Sequence, residues 1–384
     1  MSVTTATHSV SPKIDAFLRD HQPATPCIVV DVDKVSERYD TLHETIPTGR
    51  IYYAVKANPA LPILRRLVAQ GSSFDVASPA EVDACLAAGA SPDDISYGNT
   101  IKKRVDVAYA ASRGVRRYTV DSMEELHKVA DVIPGASICV RLRHECAGAD
   151  WPLSRKFGCE AADVVTLLVE ASRLGMDCGV SFHVGSQQRD VSAWDDSLSV
   201  TADIFARARA LGARPSFVNI GGGFPGTYRE DAPPMVAYGV AINAALVRHF
   251  PDGLAEVMIE PGRYMVADAG ILRTEVVLVS RRSPLDTQRW VYLDCGRYHG
   301  LAETMDEAIR YRLRTPHAGT PTGPVAIAGP TCDSSDVLYE KTDYELPLAL
   351  AEGDMVDILS TGAYTTTYSS VGFNGFAPLS EHYV

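Results

Sequence analysis

The sequence has no apolar run that approaches the roughly 18 residues needed to cross a bilayer. The segment Met1–Thr25 also lacks the charged stretch followed by an apolar stretch that marks a signal peptide. Both absences argue against membrane insertion and export. We therefore expect a cytoplasmic protein without a membrane partner.

Cysteine patterning is equally sparse. The eight cysteines form no C-x-x-C pair and no zinc-like spacing with histidine. Neither a disulfide framework nor a structural metal is predicted, and most cysteines are expected to be reduced and buried, where they behave as small hydrophobic residues.

Basic residues are the minority charge. The chain has 36 Lys and Arg against 48 Asp and Glu, which gives a net charge of −12. Nucleic-acid binding requires clustered Lys and Arg, so this balance argues against a nucleic-acid partner. An acidic chain is compatible with a cationic substrate, although acidity can also serve solubility alone.

Between Ile51 and Arg263 short β-branched or aromatic runs alternate with amphipathic helical stretches such as Pro62–Gln70, Pro79–Ala88 and Ala193–Leu211. This alternation predicts an α/β fold of repeated βα units around a parallel sheet. Eight units over this length favour a (β/α)₈ TIM-like barrel over an open doubly wound sheet. The predicted barrel strands are Ile51–Val55, Ser73–Ala77, Ile95–Tyr97, Arg117–Val120, Ser137–Arg141, Val180–Val184, Ser216–Ile220 and Glu256–Glu260.

The pattern changes after about Val266, where strands separated by turn residues follow. A chain of 384 residues can bury more than one core, so we expect a second, mainly β domain of sandwich or barrel-like architecture. We assign residues 27–266 to the barrel, and residues 1–26 with 267–384 to the second domain. The predicted strands there are Ile271–Val279, Trp290–Leu293, Val325–Ala328 and Met355–Leu359.

Polar residues follow several of the predicted barrel strands directly, and active sites of such barrels lie at the C-terminal ends of the strands. Lys56 follows the apolar run Ile51–Val55, so it would reach the mouth of the barrel, where partial desolvation favours imine chemistry of an amine. Taken alone, it could be a solvated lysine at a strand end. Asp75 ends the second strand, and Glu81 begins the next helix, where it also fits an ordinary first-turn acid.

A glycine run, Gly221–Gly223, follows the seventh predicted strand. It would let backbone N–H groups approach a phosphate closely, although such runs also form ordinary turns. Glu260 and Arg263, three residues apart, end the eighth strand and would form either a structural ion pair or part of a charged site. His183 ends the sixth strand; it is either a hydrogen-bonded core histidine or a ring that stacks on a planar ligand, with Ser186 close to a phosphate.

The second domain contributes one further motif, the turn Gly329–Asp336. Within it Cys332 is poorly placed for a core cysteine and well placed for an exposed, reactive thiol. A turn with an incidental cysteine fits the same residues. The segments Gly362–Thr365 and Phe373–Phe376 follow close behind.

Together these motifs resemble those of the fold-type III, alanine-racemase-like pyridoxal-phosphate decarboxylases, most closely the ornithine decarboxylase group. The resemblance runs from about Pro26 to the C-terminus, and the motifs occur in the order of that family. Tyr53–Asn58 is similar to the cofactor-lysine motif, Ser181–Ser186 to the ring-stacking motif and Gly221–Gly223 to the phosphate loop. Glu260–Arg263 is similar to the pyridinium motif, and Cys332-Asp333 to the second-domain motif.

The resemblance implies pyridoxal 5′-phosphate as cofactor, attached to Lys56. Glu260 would keep its ring nitrogen protonated and His183 would stack on its ring. The implied catalytic residues are Lys56, His183, Glu260 and Cys332. The implied cofactor-binding residues are Lys56, Asp75, Glu81, Arg141, His183, Ser186, Gly221, Gly222, Gly223, Glu260, Gly262, Arg263 and Tyr364.

The resemblance also implies an assembly. Proteins of this family are head-to-tail homodimers with shared active sites, so Cys332 and Asp333 would reach into the active site of the partner subunit. Lys156 and Asp336 resemble a pair that bridges the two subunits.

A small basic amino acid is the implied substrate. Cys332-Asp333 resembles the ornithine or lysine group, whereas the diaminopimelate group typically carries Cys-Glu there. Asp306 would join Asp333 at the distal ammonium, because a desolvated cation needs paired counter-charge. Met305 departs from the aromatic residue of animal enzymes, and one methylene in such a pocket is worth only about 1–3 kcal/mol. The implied substrate-binding residues are Asp306, Cys332, Asp333, Tyr298 and Phe373.

The resemblance therefore predicts decarboxylation of L-ornithine to putrescine and CO₂ in polyamine biosynthesis, with L-lysine to cadaverine as a second reaction. Three alternatives stay open: a same-fold decarboxylase of a modified or carrier-bound amino acid, a non-catalytic regulatory homologue, and a racemase. The presence of Lys56, His183, Glu260 and Cys332 together argues against a non-catalytic homologue. A racemase would be expected to carry a tyrosine base in place of Cys332.

Overall fold

The computed structural model of the protein describes residues 10–144, 148–151 and 156–384. Residues 1–9, which belong to the predicted second domain, lie outside the described residues. Among the helices that are described, none combines the length and the apolar character needed to cross a membrane.

The described chain forms two compact units. The barrel unit comprises Ser36–Gly226 and Asp231–Met265. The sheet unit comprises the described residues up to Val35, together with Thr227–Glu230 and Val266–Val384. The chain thus leaves the barrel unit briefly after Gly226 and permanently after Met265.

The barrel unit is built on eight parallel strands that close on themselves, in the order in which they occur along the chain. The registers place Ala54 beside Asp75 and Arg141 beside Ser181, so the C-terminal ends of the strands meet at one rim. The predicted (β/α)₈ barrel is thereby confirmed. Its strands are Gly49–Ala54, Ser73–Val76, Ile95–Tyr97, Arg117–Val120, Ser137–Arg141, Asp177–Ser181, Phe217–Asn219 and Glu256–Ile259.

Helices alternate with these strands, and their ends follow local sequence signals. In the helix after the second strand, the Ser78 hydroxyl accepts a hydrogen bond from the Glu81 N–H, Pro79 occupies the first turn and Gly89 ends the helix at φ 102°. In chain order from Val32, the described α-helices are Val32–Thr45, Leu61–Ala69, Pro79–Ala88, Arg104–Ser112, Met123–Val132, Ala161–Arg173, Ala193–Ala210, Met235–His249 and Arg263–Val266.

One predicted strand is displaced. The sixth strand, expected at Val180–Val184, spans Asp177–Ser181. Phe182 and Val184 lie beyond its end but are buried. Their apolar side chains are therefore explained by burial and not by membership of the strand. A separate two-stranded antiparallel sheet pairs Ala149–Trp151 with Ser186–Gln188.

The barrel interior contains a charged cluster among aromatic rings. The Arg117 guanidinium donates to Glu256 Oε2 at 2.7 Å and to the Tyr52 hydroxyl at 2.7 Å, and that hydroxyl donates to Glu256 Oε1 at 2.9 Å. Arg117 also lies 4.9 Å from the centre of the Phe217 ring. Burial opposes ionisation of Glu256, but the hydrogen bond and charge of Arg117 outweigh it and lower the pKa of this carboxyl.

We expect Glu256→Gln to reduce the free energy of unfolding by about 2–4 kcal/mol at neutral pH, because Arg117 loses its carboxylate partner. The pKa of Glu256 is lower in the folded than in the unfolded chain. Its contribution is therefore complete above the unfolded pKa and is lost as pH falls through the folded pKa. Urea unfolding at neutral and acidic pH should show the difference from wild type shrinking on acidification. The exposed Glu352→Gln serves as control, and an equal loss at both pH values would contradict the prediction.

The sheet unit is a mixed, mainly antiparallel eight-stranded sheet, which confirms the predicted second, mainly β domain. Ile14 and Leu18 of the helix Pro12–His21 pack against it on Cys27, Val29 and Ile271. Its strands are Cys27–Val30, Gly270–Ser280, Arg289–Leu293, Leu313–Arg314, Thr322–Ala328, Val337–Pro347, Met355–Leu359 and Ser380–Tyr383.

The strand Cys27–Val30 pairs with Gly270–Ser280 and with Ser380–Tyr383, so it belongs to this sheet. Residue 27 was predicted to begin the barrel domain. A buried run such as Cys-Ile-Val-Val specifies a strand but not the sheet that it joins, because all four residues are equally apolar.

Candidate active site

Lys56 lies in a single 3₁₀ turn, Val55–Ala57, that directly follows the first barrel strand. Its two neighbours in the turn are buried, whereas the Lys56 side chain is 51% exposed. The Lys56 ammonium lies 3.4 Å from Asp75 Oδ2. The structure thus brings together the two residues that the sequence placed at the ends of adjacent strands.

The surroundings of Asp75 disfavour the ionised form of its carboxyl. Burial and the nearby Glu260 charge raise the pKa of the Asp75 carboxyl to about 8, although the Lys56 ammonium acts in the opposite direction. Its Oδ1 atom is buried without a hydrogen-bond partner among the described residues. Among these influences the Lys56 ammonium is the one that favours the ionised carboxylate.

Glu81 has the structural role of a first-turn acid, one of the two roles that fit its position in the sequence. Its Oε2 accepts a hydrogen bond from the Ala77 N–H at 2.6 Å, and its own N–H donates to the Ser78 hydroxyl at 3.3 Å. This reciprocal arrangement resembles a capping box at the start of the helix. Burial raises the pKa of Glu81, and the bond from Ala77 and the Lys56 charge partly offset that rise.

The glycine run packs tightly against the ends of two barrel strands. A Cβ on Gly222 would lie 2.4 Å from the Glu260 carbonyl oxygen and 3.2 Å from His183 Nε2. Gly221 and Gly223 have φ values of 67° and 104°, which L residues rarely adopt. Side chains are therefore excluded at all three positions, and the backbone itself forms the surface of the site.

Glu260 follows the last barrel strand, and its carboxylate is fixed by Asn219. The Asn219 side-chain amide donates to Glu260 Oε1, while its Oδ1 accepts from the Gly221 N–H at 2.9 Å. Asn219 thus joins the carboxylate to the glycine loop. No role was predicted for Asn219 from the sequence, although its position at the end of the seventh strand was a usable signal.

His183 is half-buried, just beyond the end of the sixth strand. The pKa of His183 lies well below 6.5, mainly because of burial and further because of the positive charges of Arg141 and Lys56. Its Nδ1 accepts a hydrogen bond from the Gly185 N–H at 3.0 Å, which requires that nitrogen to be unprotonated. The site therefore contains a neutral, planar ring.

Arg263 brings a buried positive charge to the same rim. It is 4% exposed, and its Nε and Nη2 atoms lie 3.3 and 3.2 Å from the Ser186 hydroxyl. Gly262, just before it, accepts the Met265 N–H as the short helix begins. Arg141 ends the fifth strand, where its guanidinium lies 4.9 Å from the centre of the Phe157 ring.

These features fit a cofactor that has an aldehyde, an aromatic ring and a phosphate. In the described part of the chain the N–H groups of Gly222 and Gly223 donate to no acceptor, so they are available to an anion. The buried Arg263 supplies counter-charge, and Lys56 supplies the amine. Within the same described residues no cluster of three His, Cys, Asp or Glu side chains is arranged to hold a metal ion.

The sheet unit groups four of the residues predicted to bind substrate. The Tyr298 ring lies 4.5 Å from the Phe373 ring, and its hydroxyl bonds to Ser335 at 2.7 Å. Ser335 in turn donates through its N–H and hydroxyl to Asp333 Oδ1, at 2.8 and 2.7 Å. The exposed Cys332 is anchored through its N–H, which donates to the side-chain oxygen of Asn374, next to Phe373, at 3.0 Å.

Asp306 and Tyr364 are placed differently. Both have left-handed backbone conformations, with φ of 53° and 54°. The Asp306 side chain is exposed, and no hydrogen bond joins its carboxylate to another described residue. The Tyr364 ring lies 5.9 Å from that of Tyr368.

Asp336, predicted to pair with Lys156 across subunits, is occupied within its own chain. Its buried carboxylate accepts hydrogen bonds from the Thr331 N–H and hydroxyl and from the Arg297 N–H. Asp336 therefore holds the turn that carries Cys332. The intersubunit pair stays a prediction.

Residues 32–267 match the family model described as pyridoxal-dependent decarboxylase, pyridoxal binding domain. The chain belongs to the pyridoxal-dependent decarboxylases. This decarboxylase is 36% identical over 354 residues to the lysine/ornithine decarboxylase of Selenomonas ruminantium, with 92% of this chain and 88% of that protein covered.

Solved structures agree with this membership. The crystal structure of an SrLDC mutant in complex with PLP has a TM-score of 0.88 at 34% identity and covers 98% of this chain and 95% of that chain. The lysine/ornithine decarboxylase from Vibrio vulnificus complexed with putrescine has a TM-score of 0.86 at 29% identity and covers 98% and 99%. The decarboxylase is thus a fold-type III carboxy-lyase of the ornithine decarboxylase group that uses pyridoxal phosphate and acts on an amino acid.

Proposed function

We propose that the decarboxylase converts L-ornithine to putrescine and CO₂, and L-lysine to cadaverine and CO₂, in the cytoplasm. The main support for a basic amino acid as substrate is the group of Asp333, Cys332 and Tyr298 in the sheet unit. Hydrogen bonds from Ser335 come first among the causes that lower the pKa of Asp333, so its carboxylate is ionised at neutral pH. A partly exposed, ionised carboxylate beside an aromatic wall suits the terminal ammonium of a diamino acid.

The cofactor contacts follow from the barrel rim. Lys56 would hold the cofactor covalently, with His183 against its ring and Glu260 keeping a proton at the ring nitrogen. We call Ser186, Gly221, Gly222, Gly223 and Arg263 the phosphate cradle, because they combine backbone N–H groups, a hydroxyl and a buried guanidinium. Asp75, Glu81, Arg141, Gly262 and Tyr364 would complete the cofactor pocket.

Bound pyridoxal phosphate supplies an electron sink for the pair of electrons left when the substrate carboxylate departs as CO₂. The protein residues then have separate tasks. Asp333 and Asp306 would hold the distal ammonium, and Tyr298 and Phe373 would orient the methylene chain. The Cys332 thiol would donate a proton to Cα, which converts the decarboxylated substrate into a diamine.

We further propose that the decarboxylase works as a head-to-tail homodimer with shared active sites. In that assembly Cys332 and Asp333 act in the site of the partner subunit. The support is the resemblance of the Cys332-Asp333 motif to that of dimeric family members, together with the exposure of Cys332 in the chain itself.

A substrate panel tests the proposed activity. With pyridoxal phosphate added, kcat/KM for ornithine and lysine should lie within about 200-fold of each other, because they differ by one methylene. Arginine and diaminopimelate should be poorer substrates, since each changes the group that Asp333 meets. Asp333→Asn should raise KM for both good substrates, whereas Asp343→Asn, an exposed control in the same unit, should not.

The diamine products are identified by mass. Release of CO₂ from none of the free amino acids would contradict the proposal and would favour a modified or carrier-bound amino acid as substrate. Activity on diaminopimelate alone would also contradict it.

A further inference from the structure

The side chain of Gln187 forms a double hydrogen bond with a single glycine. Its Nε2 donates to the Gly226 carbonyl at 2.9 Å, and its Oε1 accepts from the Gly226 N–H at 2.9 Å. Gln187 is 1% exposed, and both residues lie in the barrel unit. Because both polar groups of Gly226 are engaged by one rigid amide, its position and its rotation are fixed together.

The backbone of Gln187 shows that this side chain has a specific use. Its φ is 55°, a left-handed conformation that glycine adopts without strain and that an L side chain rarely adopts. Gln187 lies in the short strand Ser186–Gln188. A side chain in a conformation that favours glycine is retained where its contacts offset the strain.

Gln187 is the middle residue of three that all contact the phosphate cradle or its loop. Before it, the Ser186 hydroxyl lies next to Arg263. After it, the Gln188 N–H donates to the Gly223 carbonyl at 2.9 Å. The loop from Gly221 to Gly226 is therefore held by contacts with the strand Ser186–Gln188.

The loop also has an apolar anchor. The Phe224 ring is buried and stacks on Trp194 at 5.3 Å. We expect this packing to keep the loop folded when the polar contact is removed, so the effect of Gln187 on ligand binding can be separated from its effect on folding.

We infer that Gln187 is a positioning residue for the cofactor phosphate. Its amide fixes the C-terminal end of the glycine loop, so that the N–H groups of Gly222 and Gly223 are already arranged when the phosphate arrives. A glycine-rich loop has the largest conformational freedom to lose, and an anion site that is ordered beforehand binds more tightly. This inference rests on the proposed function of the loop as phosphate cradle.

The test compares two ligands on the apo form of the full chain: pyridoxal phosphate, and pyridoxal, which lacks the phosphate. For Gln187→Ala the Kd of pyridoxal phosphate should rise about tenfold, in line with the loss of two hydrogen bonds. The Kd of pyridoxal should stay within about twofold, because the amine and ring contacts are unchanged. Both constants are read from visible absorbance and fluorescence titrations.

Two further variants refine the test. Gln187→Glu keeps the acceptor for the Gly226 N–H but places a second oxygen against the Gly226 carbonyl, so it should weaken pyridoxal phosphate binding at least as much as Gln187→Ala. Gln187→Gly relieves the backbone strain, so the thermal midpoint of the apo protein should be unchanged or higher while phosphate selectivity is still lost. Gln22→Gly is the matched control, since Gln22 is also left-handed, at φ 44°, but exposed and in the sheet unit.

Arg263→Gln distinguishes failure of this inference from failure of the cradle itself. If Arg263→Gln loses the preference for pyridoxal phosphate over pyridoxal but Gln187→Ala keeps it, Gln187 is not a positioning residue and the cradle stands. If neither variant changes the preference, both assignments are overturned. Equal weakening of the two ligands by Gln187→Ala, with a lower thermal midpoint, would show a purely structural residue and would also overturn the inference.

Discussion

Lys56→Ala is expected to remove the visible absorbance of the bound cofactor from the purified protein and to lower decarboxylation by about a thousandfold or more. Lys56 is the amine at the barrel rim, half exposed in a turn whose neighbouring residues are buried. No other side chain in the proposed cofactor pocket supplies an amine. Absorbance spectra and CO₂ release, measured on the same preparations, check both parts.

The variant should still fold, for an electrostatic reason. Of the charges that act on Asp75, Lys56 is the one that favours the ionised carboxyl, while burial and Glu260 disfavour it. Without Lys56 the pKa of Asp75 moves further upward, so its carboxyl is neutral at pH 7 and no unpaired charge is buried. The thermal midpoint of the apo protein should therefore change little.

Lys103→Ala is the control for this prediction, because Lys103 is an exposed lysine of the same unit that precedes a helix without capping it. It should keep the absorbance and the activity. Lys56→Arg keeps a positive charge near Asp75 but cannot form an imine, so it should resemble Lys56→Ala. Unchanged absorbance in Lys56→Ala would remove Lys56 from the cofactor site.

The barrel was predictable because its signals are local. The helix Pro79–Ala88 was predicted from its amphipathic pattern with the bounds that the structure shows, and the residues at its ends, Ser78, Pro79 and Gly89, each act on the backbone next to them. The strand Val337–Pro347 was missed, since its sequence carries charged residues such as Glu340 and Lys341. It lies at an edge of the sheet, where charged side chains protect the unpaired side.

The candidate site was predictable where a residue type has few other uses. The glycine run and His183 drew attention in the sequence because each lies at the end of a predicted strand, and the structure adds that Gly221 and Gly223 have left-handed backbone. Asn219 and Gln187 did not draw attention. Their roles come from side-chain hydrogen bonds to residues 41 and 39 positions away in the sequence, and no periodicity or spacing encodes such a contact.

Asp336 drew attention in the sequence, but its hydrogen bonds within the chain were not predicted. The resemblance suggested a partner on another subunit, while the structure shows its carboxylate bonded to Thr331 and Arg297. Gly296 and Gly329 make this possible, because a Cβ on either would lie 2.3 Å from a carboxylate oxygen of Asp336. Motif similarity identified the residue but not the contacts within the turn.

Mixing two inactive variants should restore activity. Cys332→Ala is expected to lower turnover by about 10²–10⁴-fold as the proton donor to Cα is lost, and Lys56→Ala is inactive for the reason above. If each site takes Lys56 from one subunit and Cys332 from the other, half of the randomly paired dimers contain one intact site. Equimolar mixing should then return about a quarter of wild-type activity per chain.

The alternative geometry makes a distinct prediction. If Lys56 and Cys332 of the same chain formed each site, every site in the mixture would lack one of them, and no activity would return. Lys56→Ala mixed with wild type controls for activity lost on mixing, since shared sites, unshared sites and dimers that do not exchange all give about half of the wild-type activity per chain in that mixture. Recovery that rises with the extent of exchange would therefore assign Cys332 to the neighbouring subunit, and a diluted, monomeric sample should lose activity in parallel with the loss of dimer.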